Sequence, residues 1–184
     1  VRDLGDVRQL IEVQTGSFAA MGTKLDHLLG EHPMLIVHPI AVTTRLQFPD
    51  GRTRRSPRSG SILSLLEELV SIPTLLDHPN LTVDAVLVDV TKVRARDPRA
   101  RRGRGGYRTI DTRLDRVIGT HHFAGTRDLL DLLPAELPAE FTTLDVARVG
   151  RMSRADAQRL AYCCHAAGLV TRVRRTQQGY HYHR

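Results

Sequence analysis

From Phe141 to Arg184 the start and stop signals fall so close together that the segment can hold little more than two short helices and a hairpin. The run Phe141-Thr-Thr-Leu-Asp-Val-Ala sets a capping threonine before a helix carrying Leu144, Val146 and Ala147, and Gly150 stops it. Ser153 caps a second helix from Arg154 to Ala167, with Ala157, Leu160, Ala161 and Cys164 on one face and Gly168 in the C′ position. The connection, Gly-Arg-Met-Ser, is short enough to force the helices into a tight angle. Leu169–Arg175 then reads as a strand, Thr176-Gln-Gln-Gly179 as a loop and Tyr180–Arg184 as the return strand.

This order resembles the winged helix-turn-helix domains of bacterial transcription regulators. The likeness is carried by the Phe141-Thr-Thr opening, by Ser153-Arg-Ala-Asp-Ala-Gln-Arg-Leu and by Ala167-Gly-Leu-Val before the wing. It covers about a quarter of the chain. The resemblance implies a DNA-binding module with its second helix in the major groove. Opposite the apolar face, that helix presents Ala155, Gln158, Arg159 and Tyr162, and its N-terminus offers Ser153 and Arg154 to a phosphate. Arg159 suits guanine and Gln158 suits adenine. On the wing, Arg172 and Arg174 alternate with Val173 and project away from the core toward the DNA backbone or minor groove, with Arg175 at the tip. A winged helix that packs only against a protein partner is the bland alternative, since fold alone does not establish function.

The charge distribution agrees with a polyanionic partner. Residues 94–116 hold nine arginines against three aspartates, and residues 141–184 hold eight against two, so each segment is +6 in a chain of net charge +7. Ala95–Gly106 has almost no apolar content and reads as an exposed loop or arm. Its Arg101, Arg102 and Arg104 are candidate DNA contacts. Arg102-Gly-Arg104-Gly-Gly resembles the core of AT-hook arms that lie in a narrow minor groove, although Gly105 stands where proline normally follows. Nonspecific phosphate contact, a merely solvated loop and RNA binding remain the other readings of this run.

The first 133 residues read as a mixed α+β domain. Gly22–Gly30 predicts a short helix, Met34–Val37 a strand, and Ala41–Phe48 a strand returned by the Pro49-Asp50-Gly51 turn through Arg52–Arg55. Helices are expected from Ser61 to Val70, from Asp111 to Ile118 and from Thr126 to Leu133, and Leu81–Arg94 is the strongest strand. The domain boundaries expected are 1–133, a linker at 134–140 and the winged helix at 141–184.

Catalysis has one foothold in this reading. Asp84, Asp89 and Lys92 lie on the best strand, and nucleases of the PD-(D/E)xK type use acids and a lysine on one strand face to hold Mg²⁺ and meet the phosphate. Here Asp84 and Lys92 share a face while Asp89 points away, so a bulge is needed; Glu31 is a further carboxylate. His121-His122, His181 and His183 lack four-ligand zinc spacing, and no metal or cofactor is expected. Cys163 and Cys164 are adjacent, with Cys164 expected in the core and Cys163 more exposed, which gives no disulfide framework. With no apolar run long enough for a membrane span, the expectation is a cytoplasmic protein that binds double-stranded DNA without catalysis, most simply a transcription regulator. Its N-terminal half is open to homodimerisation, effector sensing or partner recruitment.

Overall fold

The computed structural model describes residues 1–4, 7–99, 106–177 and 179–184. They fall into two compact units, one made of Val1–His38, Leu63–Ala85 and His121–Arg184, the other of Pro39–Ile62 and Val86–Thr120. The linker expected at 134–140 thus lies within the first unit.

The chain opens with a hairpin of β1 (Arg2–Leu4) and β2 (Val7–Val13), antiparallel with Leu4 opposite Val7. Ser17 caps a 3-10 turn at Phe18–Met21, and α1 (Gly22–Leu29) carries the chain back across the sheet. That crossover lets β3 (Met34–Gln47) run parallel to β2, with Leu10 opposite Met34 and Val13 opposite Val37. The strands expected separately at 34–37 and 41–48 are this single β3. After the Pro49-Asp50-Gly51 turn, where Gly51 takes φ +82° that a side chain would resist, β4 (Thr53–Arg55) returns antiparallel along Arg45–Gln47.

The helix expected from Ser61 to Val70 is a 3-10 turn at Ile62–Leu65 followed by α2 (Leu66–Leu69). A further 3-10 turn at Leu75–Asp77 leads into β5 (Leu81–Arg96). Met34 N–H donates to Asn80 O at 2.6 Å, so β3 and β5 set out side by side. In the first unit Phe18, Leu25, Leu29, Ile36, Leu65, Leu66, Leu69, Leu81 and Leu129 are essentially sealed from solvent and form its core.

Asp111 to Ile118, expected to be helical, lies inside β6 (Tyr107–Phe123), a strand antiparallel to β5 as the side-chain pairs Asp89–Arg116 and Arg94–Thr109 show. Leu114, Val117 and Ile118 fit helical spacing in sequence, but pairing with β5 overrides that local preference. The full sheet order is β1-β2-β3-β5-β6, with β4 on β3. β5 also extends to Arg96, beyond the expected start of the basic loop, and Asp97 N–H donates to Gly106 O at 2.8 Å. Arg101, Arg102 and Arg104 lie outside the described residues.

A 3-10 helix at Thr126–Leu132 stands where an α-helix was expected. Then follow β7 (Glu140–Thr142), α3 (Thr143–Val149), α4 (Arg154–Ala166), β8 (Thr171–Thr176) and β9 (Gly179–His183). The three strands form an antiparallel sheet in the order β7-β9-β8. A reciprocal cap starts α3: Thr142 N–H and Oγ1 donate to Asp145 Oδ2 at 2.9 and 2.7 Å, and Asp145 N–H donates to Thr142 Oγ1 at 3.3 Å. Phe141 and Tyr182 stack with centroids 6.0 Å apart, over a core that includes Val146, Leu160, Ala161, Cys163 and Cys164. Cys163, expected to be the more exposed thiol, is fully buried. No helix among the described residues is long and apolar enough to cross a membrane.

Candidate nucleic-acid interface

Of the residues expected to meet DNA, those on α4 have different surroundings. Arg154, Gln158 and Tyr162 are exposed, while Ala157, Leu160 and Ala161 turn inward. Arg159 is drawn elsewhere: its Nη1 donates to Asp156 Oδ1 at 3.1 Å and its Nη2 lies 3.4 Å from Glu67 Oε1. Ser153 is committed to its own helix, accepting from Asp156 N–H at 3.1 Å and donating its hydroxyl to Asp156 Oδ2 at 2.7 Å.

The hairpin arginines also differ from the alternation expected. A register shift between Arg172 and Arg174 breaks the simple two-residue repeat. The guanidinium of Arg172 sits 4.3 Å from the Tyr180 ring centroid and that of Arg175 5.3 Å from the same ring. Arg174 Nε donates to Glu140 Oε1 at 2.6 Å, and this cation holds the Glu140 carboxyl below its ordinary range. Arg172 and Arg175 therefore have no carboxylate beside them among the described residues, whereas Arg174 does.

The strand acids of the nuclease alternative are each taken up by a cation or ring. Asp84 Oδ1 lies 2.6 Å from His122 Nδ1, and Asp89 Oδ2 accepts from Arg116 at 2.7 Å, which keeps the Asp89 carboxyl low. Among the described residues no three His, Cys, Asp or Glu side chains cluster as a metal site.

Sequence reading missed a different constellation, on β2. Glu12 near the end of β2 and Gln14, the first residue beyond it, lie two positions apart, and Lys24 Nζ from α1 lies 2.7 Å from Glu12 Oε2. The Gln14 side-chain amide donates to Ser17 O at 2.9 Å, while the buried His38 ring bonds Gln14 O at 2.8 Å. The alternation is inverted relative to an ordinary half-buried strand: Ile11 and Val13 are 38% and 63% exposed, and the polar pair is the more shielded face. The alternation of apolar and polar residues over Ile11-Glu12-Val13-Gln14 was the signal available in the sequence.

The charge itself sits in an unexpected place. The second unit carries fifteen Lys and Arg side chains against five aspartates, a net +10 in a chain of +7, so the first unit is −3. The +6 of residues 141–184 is therefore embedded in an acidic unit, and the cationic surplus belongs to β3–β6.

These elements define a two-unit α+β protein, a mixed sheet with a cationic second unit and a C-terminal helix pair backed by a three-stranded sheet. Residues 1–124 match DUF8091, a domain of unknown function, and the chain belongs to that family. The match ends before the Thr126–Leu132 turn and the C-terminal module. An uncharacterized protein of Treponema pallidum (strain Nichols) is 30% identical over 149 residues, which is 77% of this chain and 58% of that relative. The chain thus spans less than two thirds of that relative's length. No solved structure matches.

Proposed function

We propose that the protein binds double-stranded DNA, with residues 140–184 acting as a winged helix-turn-helix. One observation carries this reading: strand, helix, helix and hairpin follow in the order β7, α3, α4, β8, β9, and the sheet closes as β7-β9-β8. In that arrangement the hairpin is a wing and α4 the groove-reading helix. Arg154, Gln158 and Tyr162 are the side chains free to meet base edges, and Arg172 and Arg175 are the wing's phosphate contacts. Arg159 joins them only after leaving Glu67. A transcription regulator is the simplest role for such a module. The test is binding to a random duplex pool at several salt concentrations, with Arg154→Ala plus Gln158→Ala as the variant. Loss of base preference supports the reading, and unchanged preference removes α4 from the groove.

A second reading, Mg²⁺-dependent phosphodiester hydrolysis, is favoured by the half-shielded Glu12 and Gln14 with the exposed Lys24 beside them. A carboxylate and an amide oxygen two positions apart are hard-cation ligands, and a lysine beside them could meet a phosphate. Glu12 is the only carboxylate of the three, so the described residues supply part of a magnesium site. Cleavage of duplex DNA that needs Mg²⁺ and disappears in Glu12→Gln would establish this reading; duplex left intact by the unaltered chain at all Mg²⁺ concentrations would remove it.

A further inference from the structure

The second unit holds a concave site of its own, a trough of about 740 Å³ lined by residues of β3, β4, β5 and β6 and of the segment after β4. Among the described residues four cations line it, Arg54, Arg58, Lys92 and Arg94, together with the rings of Phe48 and Tyr107, and none of the described lining residues is a carboxylate. The placement follows from strand register: Lys92 and Arg94 are two apart on β5 and share a face, and β4 brings Arg54 back opposite Leu46 of β3. The rings meet edge to face with centroids 5.0 Å apart, and the Arg54 guanidinium lies 5.8 Å from the Phe48 centroid.

The unit's acids are occupied away from these four. Asp50 pairs with Arg52 at 2.7 Å, Asp89 with Arg116 at 2.7 Å, Asp111 with Arg113 at 3.0 Å and Asp97 with Arg108 at 4.0 Å, while Asp115 accepts the Thr91 hydroxyl at 2.7 Å. Among the described residues no ion pair joins the four lining cations to a carboxylate. Like charges gathered in one concavity repel each other, and walls of low polarisability concentrate their field, so the arrangement is complementary to a chain of negative groups. Arg94 is held in place by its neighbours. Its Nη1 donates to Thr109 Oγ1 at 3.0 Å and its Nη2 to Tyr107 O at 2.9 Å, which fixes the guanidinium, and its Nε is enclosed with no acceptor among the described residues.

We infer that this trough holds the phosphodiester backbone of a DNA duplex, as a contact separate from the C-terminal module. The site stands on its own lining and charge; naming its ligand as DNA rests on the reading above.

Hydrogen exchange of the full chain, with and without a 20-base-pair duplex, tests it, alongside Arg54→Ala/Arg58→Ala/Lys92→Ala. Arg94 is left in place because it ties Tyr107 and Thr109 together. The expected result is slowed exchange at residues 44–58, 92–94 and 107–109. The triple variant should reduce the slope of log affinity against log salt by ~0.9 per lost contact, close to ~2.7 in all. The charge-keeping variant Arg54→Lys/Arg58→Lys should retain most of the binding, which separates lost charge from lost folding. Protection confined to residues 154–175 overturns the trough and leaves the winged-helix reading standing. Protection confined to the trough does the reverse. If inorganic phosphate at the same phosphate concentration protects the trough equally well, the site takes a free anion and the backbone assignment fails.

Discussion

Replacing Gly150 with alanine probes the turn that sets α3 against α4. A Cβ built there would lie 2.6 Å from Met152 Cε, 2.9 Å from Pro134 Cγ and 2.9 Å from Val146 O. The methionine tip can swing aside, but the proline ring and a helical carbonyl cannot. Gly150 has φ −77° and ψ −2°, a backbone that alanine adopts freely, so the cost is steric alone. Overpacking of this kind destabilises by ~1–3 kcal/mol. For a chain of this size each kcal/mol moves the midpoint by about 2–4 °C, so Gly150→Ala should lower Tm by roughly 2–12 °C. Next door, Arg151 sits at φ +49°, where a non-glycine side chain is disfavoured by roughly 1–2 kcal/mol. Arg151→Gly relieves that strain but costs chain entropy in the unfolded state, leaving a gain of up to ~1 kcal/mol. Paired thermal and urea unfolding of the two variants reads both signs. An unchanged midpoint for Gly150→Ala, or a clear loss for Arg151→Gly, would refute this account of the turn.

Further outcomes follow from the same geometry. Glu67→Ala releases one of the two acids on Arg159 and should raise duplex affinity by up to about fivefold, the range set by an exposed ion pair, as read by fluorescence anisotropy; no change would mean that Arg159 stays with Asp156. Burial pushes the Cys163 and Cys164 thiols up to about 11 and about 12, so neither should react with a thiol reagent near neutral pH until the protein unfolds, and rapid labelling of native protein would contradict their placement. The Asp145 carboxyl is held below its ordinary range chiefly by Thr142 N–H and then by the Thr142 hydroxyl. A lowered folded value gives stability that is present above the unfolded carboxylate range, about 3.9, and is lost as pH falls through the folded value. Asp145→Asn should therefore cost about 1 kcal/mol at neutral pH and flatten the acid side of the stability curve; an unaltered curve would remove the cap from the account.

The C-terminal elements were legible in the sequence because punctuation and period agree there. Thr142, Gly150, Ser153 and Gly168 mark the ends, and the faces of α4 follow helical spacing. The exposed Tyr162 and buried Leu160 match that spacing, while Cys163 does not, because it is buried within the unit on a side that the helical wheel leaves open. β6 was illegible for a different reason: Leu114, Val117 and Ile118 satisfy i, i+3, i+4, and only the partner strand decides the outcome. β2 defeated pattern reading by inversion, with Ile11 and Val13 outward. Residue types alone also left the partners of the strand acids unread: Asp84 and Asp89 are matched with His122 and Arg116, and Glu12 and Lys24 meet through a crossover that no local rule predicts. The cationic trough needed topology as well: Arg54, Arg58, Lys92 and Arg94 are up to forty positions apart and converge only when β4 folds onto β3 beside β5.

The central claim, that this protein binds duplex DNA through its charged surfaces, is tested most directly by the salt dependence of its affinity for a short duplex. Anisotropy from low to physiological salt should give a straight log–log plot with a slope of about −0.9 for each phosphate contact, steep enough to engage several arginines. A flat plot, or no binding at the lowest salt, would contradict it.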